Sequence, residues 1–364
     1  MLSLVAFLLV GCSASLFKVA ENGLISTTNI SDEQTELIFD YCKTFPANTE
    51  VAIAIIEDKV VRYVGVKITG DSLVSIQNDK KVFEIGSVTK VFTATLLASF
   101  AQQGEIDVAE PIQNHLNFEV KGGERITFQQ LANHTSGLPR LSPNLDLSVV
   151  DIRNPYKDYD QDKLQEVLEN SVALQSEPGT SYEYSNFGAG LLGFTLEQRS
   201  NSTFEKLLQE RVFSKYGMTR STTLRKTIEG DLVQGLNAKG ELTSNWDFNA
   251  LVGAGGIFSS VHDLAKFAIA HFDEASEELA LTRESTFAVN DEVSIGLGWL
   301  TIQRKGKALT WHNGGTGGYS ASIALDIPNE SGIIVLSNVS AYHEDAENID
   351  QLCLELTEML NGDI

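Results

Sequence analysis

Phe83-Glu-Ile-Gly-Ser-Val-Thr-Lys90 joins a short strand-like segment, residues 81–85, to an apolar stretch that continues to about Gln103. The stretch is apolar on nearly every helical face, which predicts a helix buried between layers rather than one at the surface. Ser87 and Lys90 are three residues apart, so on a helix they share a face and lie roughly 4.5 Å apart along its axis. The segment therefore places a hydroxyl beside an amine at the start of a buried helix.

This Ser-x-x-Lys spacing suits nucleophilic catalysis. A serine hydroxyl is a weak nucleophile until a base accepts its proton, and a lysine can be that base when burial lowers its pKa. The backbone N–H of Ser87, at a helix start, can also stabilise an oxyanion. Ser15 and Lys18 have the same spacing, but only Ser87 follows a strand-like segment and begins a buried helix. Ser87 and Lys90 are therefore the candidate nucleophile and base.

Two further motifs carry polar side chains next to predicted turns. Tyr184-Ser-Asn186 lies between a Pro-Gly turn and a helix that begins near Phe187, where the alternative is a plain helix cap. His312-Asn-Gly-Gly315 follows a strand that ends at Trp311, and its glycines allow close backbone approach to a substrate. The alternative for the second motif is a hairpin loop with an incidental histidine.

Strand patterns occur at both ends of the chain, and a mostly helical block separates them. The predicted strands are 51–56, 60–66, 298–303, 308–311, 321–325 and 332–336, with helices at 31–45 and 345–360. Short connections between such runs favour antiparallel neighbours. The sequence therefore predicts an α+β fold in which a central antiparallel sheet domain (31–86 plus 296–364) is flanked by the terminal helices. A mostly helical domain, residues 87–295, is inserted into it.

The composition is that of an ordinary globular protein with an acidic surface. The hydrophobic and charged fractions are 42% and 21%, and 49 Asp and Glu against 27 Lys and Arg give a net charge of −22. That charge repels phosphate backbones, so we expect no nucleic-acid partner. The histidines lack metal-ligand spacing, and the glycine-rich segment 253–256 lacks the frame of a nucleotide loop. We therefore expect neither a metal nor a cofactor.

Residues 1–12 form an apolar run that ends in Leu-Val-Gly-Cys12. The run is shorter than the about 20 residues that span a bilayer, and it predicts a lipoprotein-type signal peptide (1–11), lipidation of Cys12 and a tether (12–30). One feature departs from that pattern, because no Lys or Arg precedes the run; the alternative is a buried strand or helix. We expect an exported bacterial lipoprotein, periplasmic or at the cell surface, anchored to the membrane through Cys12.

Taken together, the three motifs resemble those of the serine β-lactamase-related family of class C β-lactamases, penicillin-binding D,D-peptidases and esterases. The resemblance covers about residues 51–360. Further matching segments are Leu131-Ala-Asn-His-Thr-Ser-Gly-Leu-Pro139, Gly255-Gly-Ile-Phe-Ser259 and Gly296-Leu-Gly-Trp299. The resemblance implies a β-lactamase/transpeptidase-like fold and an acyl-enzyme mechanism.

The resemblance also implies roles for the site residues. Ser87 would attack a carbonyl, and Lys90 and Tyr184 would share the proton transfers. Asn186 would position the substrate amide, and the N–H groups of Ser87 and Gly315 would form the oxyanion hole. His134, within a family signature, is interpreted as structural.

The third motif departs from the Lys-Thr-Gly of class C β-lactamases. His312 would complete the catalytic site and titrate between about pH 5.5 and 8, and Asn313 and Gly314 would contact substrate. Asn313 lacks the hydroxyl that would meet a substrate carboxylate, which argues against efficient penicillin hydrolysis. Because relatives pack the first and last helices together, Cys42 and Cys353 are a candidate disulfide.

The substrate prediction is a cell-wall peptide, with D,D-peptidase or D-amino-acid amidase activity. A class C-like β-lactamase and a carboxylesterase, acting on a β-lactam or an ester, are the near alternatives. A catalytically idle cell-wall binding or scaffold protein is a third, which the intact set Ser87, Lys90, Tyr184 and Asn186 opposes.

Overall fold

A ten-stranded sheet organises this computed structural model, which describes residues 21–24, 30–170, 172–360 and 362. Its strands are β1 (Glu21–Asn22), β2 (Glu50–Glu57), β3 (Val60–Thr69), β4 (Ser72–Ile76), β7 (Phe287–Ala288), β8 (Val293–Ile295), β9 (Leu300–Arg304), β10 (Lys307–Gly315), β11 (Ser320–Asp326) and β12 (Ser331–Ser337), and β5 (Phe83–Glu84) pairs separately with β6 (Phe258–Ser259). The order is β1-β4-β3-β2-β12-β11-β10-β9-β8-β7, antiparallel except for β1 with β4. Strands from both ends of the chain thus form one sheet, as predicted.

Helices cover both faces of this sheet. They are α1 (Asp32–Cys42), α2 (Thr89–Gln102), α3 (Phe128–Ala132), α4 (Gln161–Asn170), α5 (Asn186–Ser200), α6 (Phe204–Leu208), α7 (Val252–Gly255), α8 (Val261–Ala270), α9 (Glu277–Arg283) and α10 (Asn348–Leu360). Helices α1 and α10 pack on one face, and the central helices, with α2 among them, lie on the other. The α+β class, the central sheet and the flanking terminal helices are confirmed.

Strand β2 shows why the central strands are continuously apolar. Side chains alternate between the faces of a strand. Ala52, Ala54 and Ile56 therefore join the core shared with the helical part, whereas Ile53 and Ile55 join the core beneath α1 and α10. Burial on both faces leaves no solvent-facing set of residues, so a period-2 polar pattern is absent from this strand.

The predicted buried helix is α2, and its start is fixed by glycine geometry. Gly86 has φ +50, and a Cβ there would lie 2.6 Å from the backbone nitrogen of Gly315. Only glycine combines that left-handed conformation with so close an approach. Helix α2 then runs with almost every side chain buried, and its Thr93 hydroxyl donates to the carbonyl of Gly253. The Gly86 contact thus places the helix start against β10, and the Thr93 bond ties α2 to α7.

The structure differs from the predicted boundaries in three places. The strands β7 and β8 precede residue 296, so the sheet begins earlier than predicted. Residues 21–22, predicted as tether, form β1, while β4 was not predicted at all. The His312–Gly315 motif lies within β10 rather than in a turn after it. The short β8 and β4 carry too few alternating residues to stand out as strands in the sequence.

The predicted disulfide is absent, since Cys42 and Cys353 are free thiols. Helices α1 and α10 do pack together, but the Cys353 thiol points at the sheet and donates to the carbonyl of Ile333, 3.4 Å away. Burial raises the pKa of both thiols, to about 12 for Cys42. Both therefore behave as small apolar core residues.

The predicted signal peptide, the lipidation site Cys12 and most of the tether lie outside the described residues. Within the part of the chain that the structure describes, no helix is both long and apolar enough to cross a bilayer.

Candidate active site

A cavity of about 630 Å³ opens where the start of α2, the turn before α5, strand β10 and the start of α10 meet. Its wall includes Ser87, Tyr184, Asn186, Trp246, Gly315 and Asp350. Three motifs that are far apart in the sequence thus reach one cavity, because α2 and α5 pack on one face of the sheet that contains β10.

Ser87 stands at the centre of a hydrogen-bond group. The Tyr184 hydroxyl donates to Ser87 Oγ at 2.6 Å, and Lys90 Nζ lies 3.1 Å from the same oxygen. Ser87 belongs to a single 3₁₀ turn, Gly86–Val88, that continues into α2. The predicted nucleophile is therefore in contact with both predicted proton-transfer partners.

The surroundings of Lys90 favour the neutral amine. Burial, reinforced by the nearby Arg140 guanidinium, lowers the pKa of Lys90 well below its ordinary 10.5. Lys90 Nζ lies 2.8 Å from Asn186 Oδ1 and 2.6 Å from the carbonyl oxygen of Ala254. These two acceptors match the two N–H donors of a neutral amine, which leaves Ser87 Oγ, 3.1 Å away, as the neighbour for its lone pair when the amine is neutral. Lys90 is thereby poised to accept the serine proton.

Tyr184 is held in its protonated form. Burial raises its pKa above the ordinary 10, although the hydrogen bond to Ser87 and the charge of Arg140 act in the opposite direction. The Arg140 guanidinium lies 5.0 Å from the centre of the Tyr184 ring, and the His134 ring lies 4.5 Å away on tilted planes. A phenol that donates to Ser87 Oγ can later deliver its proton to a leaving group, while Lys90 takes the first proton.

His134 supports the turn that carries Tyr184. Its Nδ1 accepts the backbone N–H of Ser185 at 3.2 Å, and its carbonyl accepts that of Glu183. Burial lowers the pKa of His134 well below its ordinary 6.5, so the ring is neutral. These contacts agree with the structural role that the sequence predicted.

The backbone of Gly314 and Gly315 lies against the start of α2. A Cβ on Gly314 would come within 2.7 Å of the Ser87 nitrogen, and one on Gly86 would come within 2.6 Å of the Gly315 nitrogen. The Ser87 and Gly315 amides are thus brought together at the cavity wall. Two converging backbone N–H groups beside a nucleophile form the geometry of an oxyanion hole.

His312 lies near this group but does not line the cavity, as far as the described residues show. Its ring is buried, and Nδ1 contacts the carbonyl oxygen of Asn313 at 2.6 Å. Burial is the main cause that lowers the pKa of His312 to about 4, and Lys90 adds to this effect only when its amine is protonated. The titration expected between pH 5.5 and 8 therefore has no counterpart here, because the ring is already neutral throughout that range.

Asn313 faces the opposite side of β10 from His312 and contacts the last helix. Its Nδ2 donates to Asp350 Oδ2 at 2.6 Å. Burial raises the pKa of Asp350 from 3.8 to about 6, with a further increase from the charge of Glu347. Hydrogen bonds from Asn313 and Ser322 oppose that increase. Asp350, which the sequence prediction missed, thus brings a carboxylate to the cavity.

Aromatic side chains form another part of the wall. The Tyr156 ring stacks on Phe248 at 4.7 Å, and Trp246 lies 5.6 Å from Tyr156 and 6.4 Å from Tyr342. Lys90 holds the Oδ1 atom of Asn186. The Nδ2 atom of Asn186 lies 3.4 Å from the Tyr156 hydroxyl, which is a long hydrogen bond, so Nδ2 can donate to a substrate carbonyl instead. Arg140, Tyr156 and Trp246 were not predicted, although Arg140 directly follows the signature that ends at Pro139.

A family model described as Beta-lactamase matches residues 43–357. The chain belongs to the beta-lactamase family. Among curated relatives, a beta-lactamase of Providencia stuartii is 30% identical over 168 residues, covering 45% of this chain and 40% of that protein. Protein flp of Staphylococcus aureus is 24% identical over 284 residues, covering 72% and 55%. The chain thus spans about half the length of the curated relatives it matches.

Solved structures of other family members share the fold. A penicillin-binding protein homologue from Pyrococcus abyssi, described as octameric, superimposes with a TM-score of 0.75 at 23% identity, covering 91% of this chain and 77% of that one. A beta-lactamase/D-alanine carboxypeptidase from Pseudomonas syringae gives 0.74 at 19% identity, covering 90% and 97%. The β-lactamase/transpeptidase-like fold is confirmed, and this family generally consists of serine hydrolases.

Proposed function

We propose that this beta-lactamase family member is a serine acyl hydrolase of the D-amino-acid peptidase or amidase type, with Ser87 as the nucleophile. The single observation that carries the proposal is the arrangement around Lys90. Lys90 Nζ lies within hydrogen-bond distance of Asn186 Oδ1, the Ala254 carbonyl and Ser87 Oγ, and the same serine oxygen accepts a bond from Tyr184. A catalytically inactive cell-wall binding protein would not require this arrangement of proton donors and acceptors around a serine.

The reaction follows from these contacts. Ser87 Oγ attacks the substrate carbonyl carbon as its proton passes to Lys90, and the Ser87 and Gly315 N–H groups stabilise the oxyanion. When the carbon–leaving-group bond breaks, Tyr184 gives its proton to the departing atom and is reprotonated through Lys90. A water molecule then attacks the acyl-enzyme, loses its proton to the same pair, and releases the acid and free Ser87.

The choice of peptide or amide over penicillin rests on Asn313. This side chain has no hydroxyl, and one of its N–H groups is given to Asp350. A penicillin carboxylate would meet a carboxylate rather than a hydroxyl or a cation on that wall. Export and a lipid anchor on Cys12 stay predictions.

Covalent labelling tests the proposal. Wild type and Ser87→Ala are exposed to a p-nitrophenyl ester, and the pre-steady-state burst and the intact mass are recorded. The wild type is expected to show a burst and an acyl adduct on Ser87, and the variant neither. Ser15→Ala, with the same Ser-x-x-Lys spacing, is the matched control and keeps full activity. An undiminished burst in Ser87→Ala removes the proposed function.

A further inference from the structure

Asp350 is the feature of the cavity that the acyl-transfer mechanism does not use. Its carboxylate lines the same cavity as Ser87 and is bonded to Asn313, two residues before Gly315 on β10. A strand advances about 3.3 Å per residue, so the Asn313 backbone lies about 7 Å along β10 from Gly315, and the carboxylate bonded to the Asn313 side chain lies on the same stretch of cavity wall. A bound substrate therefore meets both groups at once.

No cation neutralises this carboxylate within the described part of the chain. Asp350 forms no salt bridge with the described Lys, Arg or His residues, and the groups that act on its pKa are Asn313, Ser322 and Glu347. Glu347 adds a second carboxylate to the same wall. Arg140, the cavity's cation in the described residues, lies over Tyr184 instead. A largely buried carboxylate without a cation is costly, and a bound cation would offset that cost.

The neighbouring aromatic residues suit a cationic ligand as well. Trp246 and Tyr342 line the cavity 6.4 Å apart, and Tyr342 lies on the segment that leads into α10. Tyr342 is 62% exposed, so its ring is accessible from the cavity mouth. A carboxylate in the same cavity as an exposed aromatic ring is a combination that attracts alkylammonium groups.

We infer that Asp350 is a specificity residue that selects acyl substrates with a protonated amine several ångströms from the scissile carbonyl and rejects those with a carboxylate there. The substrate class is an amino-bearing peptide or amino-acid amide. Water and the amide then yield an acid and a free amine through the Ser87 acyl-enzyme. The inference rests on the proposed function, because it concerns the substrate of that site.

Boronic acids provide the test, since their boron accepts a bond from Ser87 Oγ and forms a reversible tetrahedral adduct. Phenylboronic acids with a meta aminomethyl, methyl or carboxyl group place a cation, a neutral group or an anion several ångströms from boron. Either ring orientation can present the group to Asp350. Inhibition constants are measured for wild type, Asp350→Asn and Glu355→Gln. Glu355 lies on the same helix and accepts a bond from Tyr41, so it is the matched charge control.

In the wild type and in Glu355→Gln, we expect the aminomethyl compound to bind at least about tenfold tighter than the methyl compound, and the carboxyl compound at least about tenfold weaker. Asp350→Asn, which is nearly isosteric and can still bond Asn313, should bring the three within about threefold. A flat or reversed ranking in wild type overturns the inference, and so does an unchanged ranking in Asp350→Asn. In either case, binding of the methyl compound leaves the proposed function intact. If none of the three binds and no ester burst occurs, the proposed function fails first.

Discussion

Glu84 offers a quantitative test of the electrostatics near the nucleophile. It lies three residues before Ser87 and is fully buried, with Oε1 accepting from Asn245 Nδ2 at 2.7 Å and from the Trp246 backbone N–H at 2.9 Å. Its Oε2 is buried near Thr316 and lacks a well-formed hydrogen bond. Burial raises the pKa of Glu84 from 4.5 to about 7, against the opposing effect of these donors.

The raised pKa sets the size and sign of the effect on stability. The folded protein holds the proton more tightly than the unfolded chain does, so the stability that this group contributes is complete below about pH 4.5 and is lost as the pH rises through 7. A shift of this size corresponds to about 3 kcal/mol at pH 8. Glu84→Gln stays neutral at every pH and keeps an oxygen for both donors. It should therefore be about 3 kcal/mol more stable than wild type at pH 8 and equal to it near pH 4.5.

Urea unfolding of both proteins at pH 4.5, 6 and 8 measures this difference. Comparing variant with wild type at each pH cancels the titration of every other group. Glu177→Gln removes one exposed carboxylate and is the control for the loss of a surface charge. A Glu84→Gln advantage that grows by less than about 1 kcal/mol between pH 4.5 and 8 would refute the argument that Glu84 is buried at a cost.

Two further predictions concern the backbone and the histidine of the site. Gly86→Ala should lower the burst rate by about 100-fold or more, because a Cβ 2.6 Å from the Gly315 nitrogen displaces an oxyanion donor; Gly104→Ala, also at positive φ but with open space around it, should leave the burst rate unchanged. His312→Gln replaces one neutral side chain by another, so its pH profile of kcat/KM for a neutral ester should keep the wild-type shape above about pH 5. A limb between pH 5.5 and 8 that vanishes in His312→Gln would show that the imidazole titrates there.

The parts of the fold that the sequence predicted are those with strong local patterns. Helices α1 and α3 begin at local capping boxes, Ser31 with Gln34 and Thr127 with Gln130. The apolar character of α2 on every face predicted burial, and the structure buries it. Short strands at or next to the edges of the sheet, such as β1 and β8, were missed because two or three residues carry no periodicity.

The members of the site follow the same rule. Ser87 and Lys90 share one helix, so their proximity is a local property that spacing alone can predict. Tyr184 and Asn186 were assigned through a motif whose order matched the resemblance, and the packing of α5 on α2 explains why they reach Ser87. The assignment of proton roles needed the structure, because the acceptors of Lys90 include the carbonyl of Ala254, which no side-chain pattern reveals.

Asp350 shows why the charge of a substrate cavity is harder to predict from the sequence than its catalytic residues. In the sequence it is one acidic residue among several at the start of an amphipathic helix, and the expected interpretation is a solvated surface. Only the packing of α10 across β11 and β12 turns that residue toward Asn313 and makes it part of the cavity wall. The same contact occupies the Asn313 amide. Where the position of the motif suggests a pocket for a substrate carboxylate, the cavity wall therefore carries a carboxylate of the protein itself. Substrate choice in this protein therefore depends on a tertiary pair, Asn313 with Asp350, and exchanging that one acid for its amide is the change expected to alter substrate choice without altering the chemistry at Ser87.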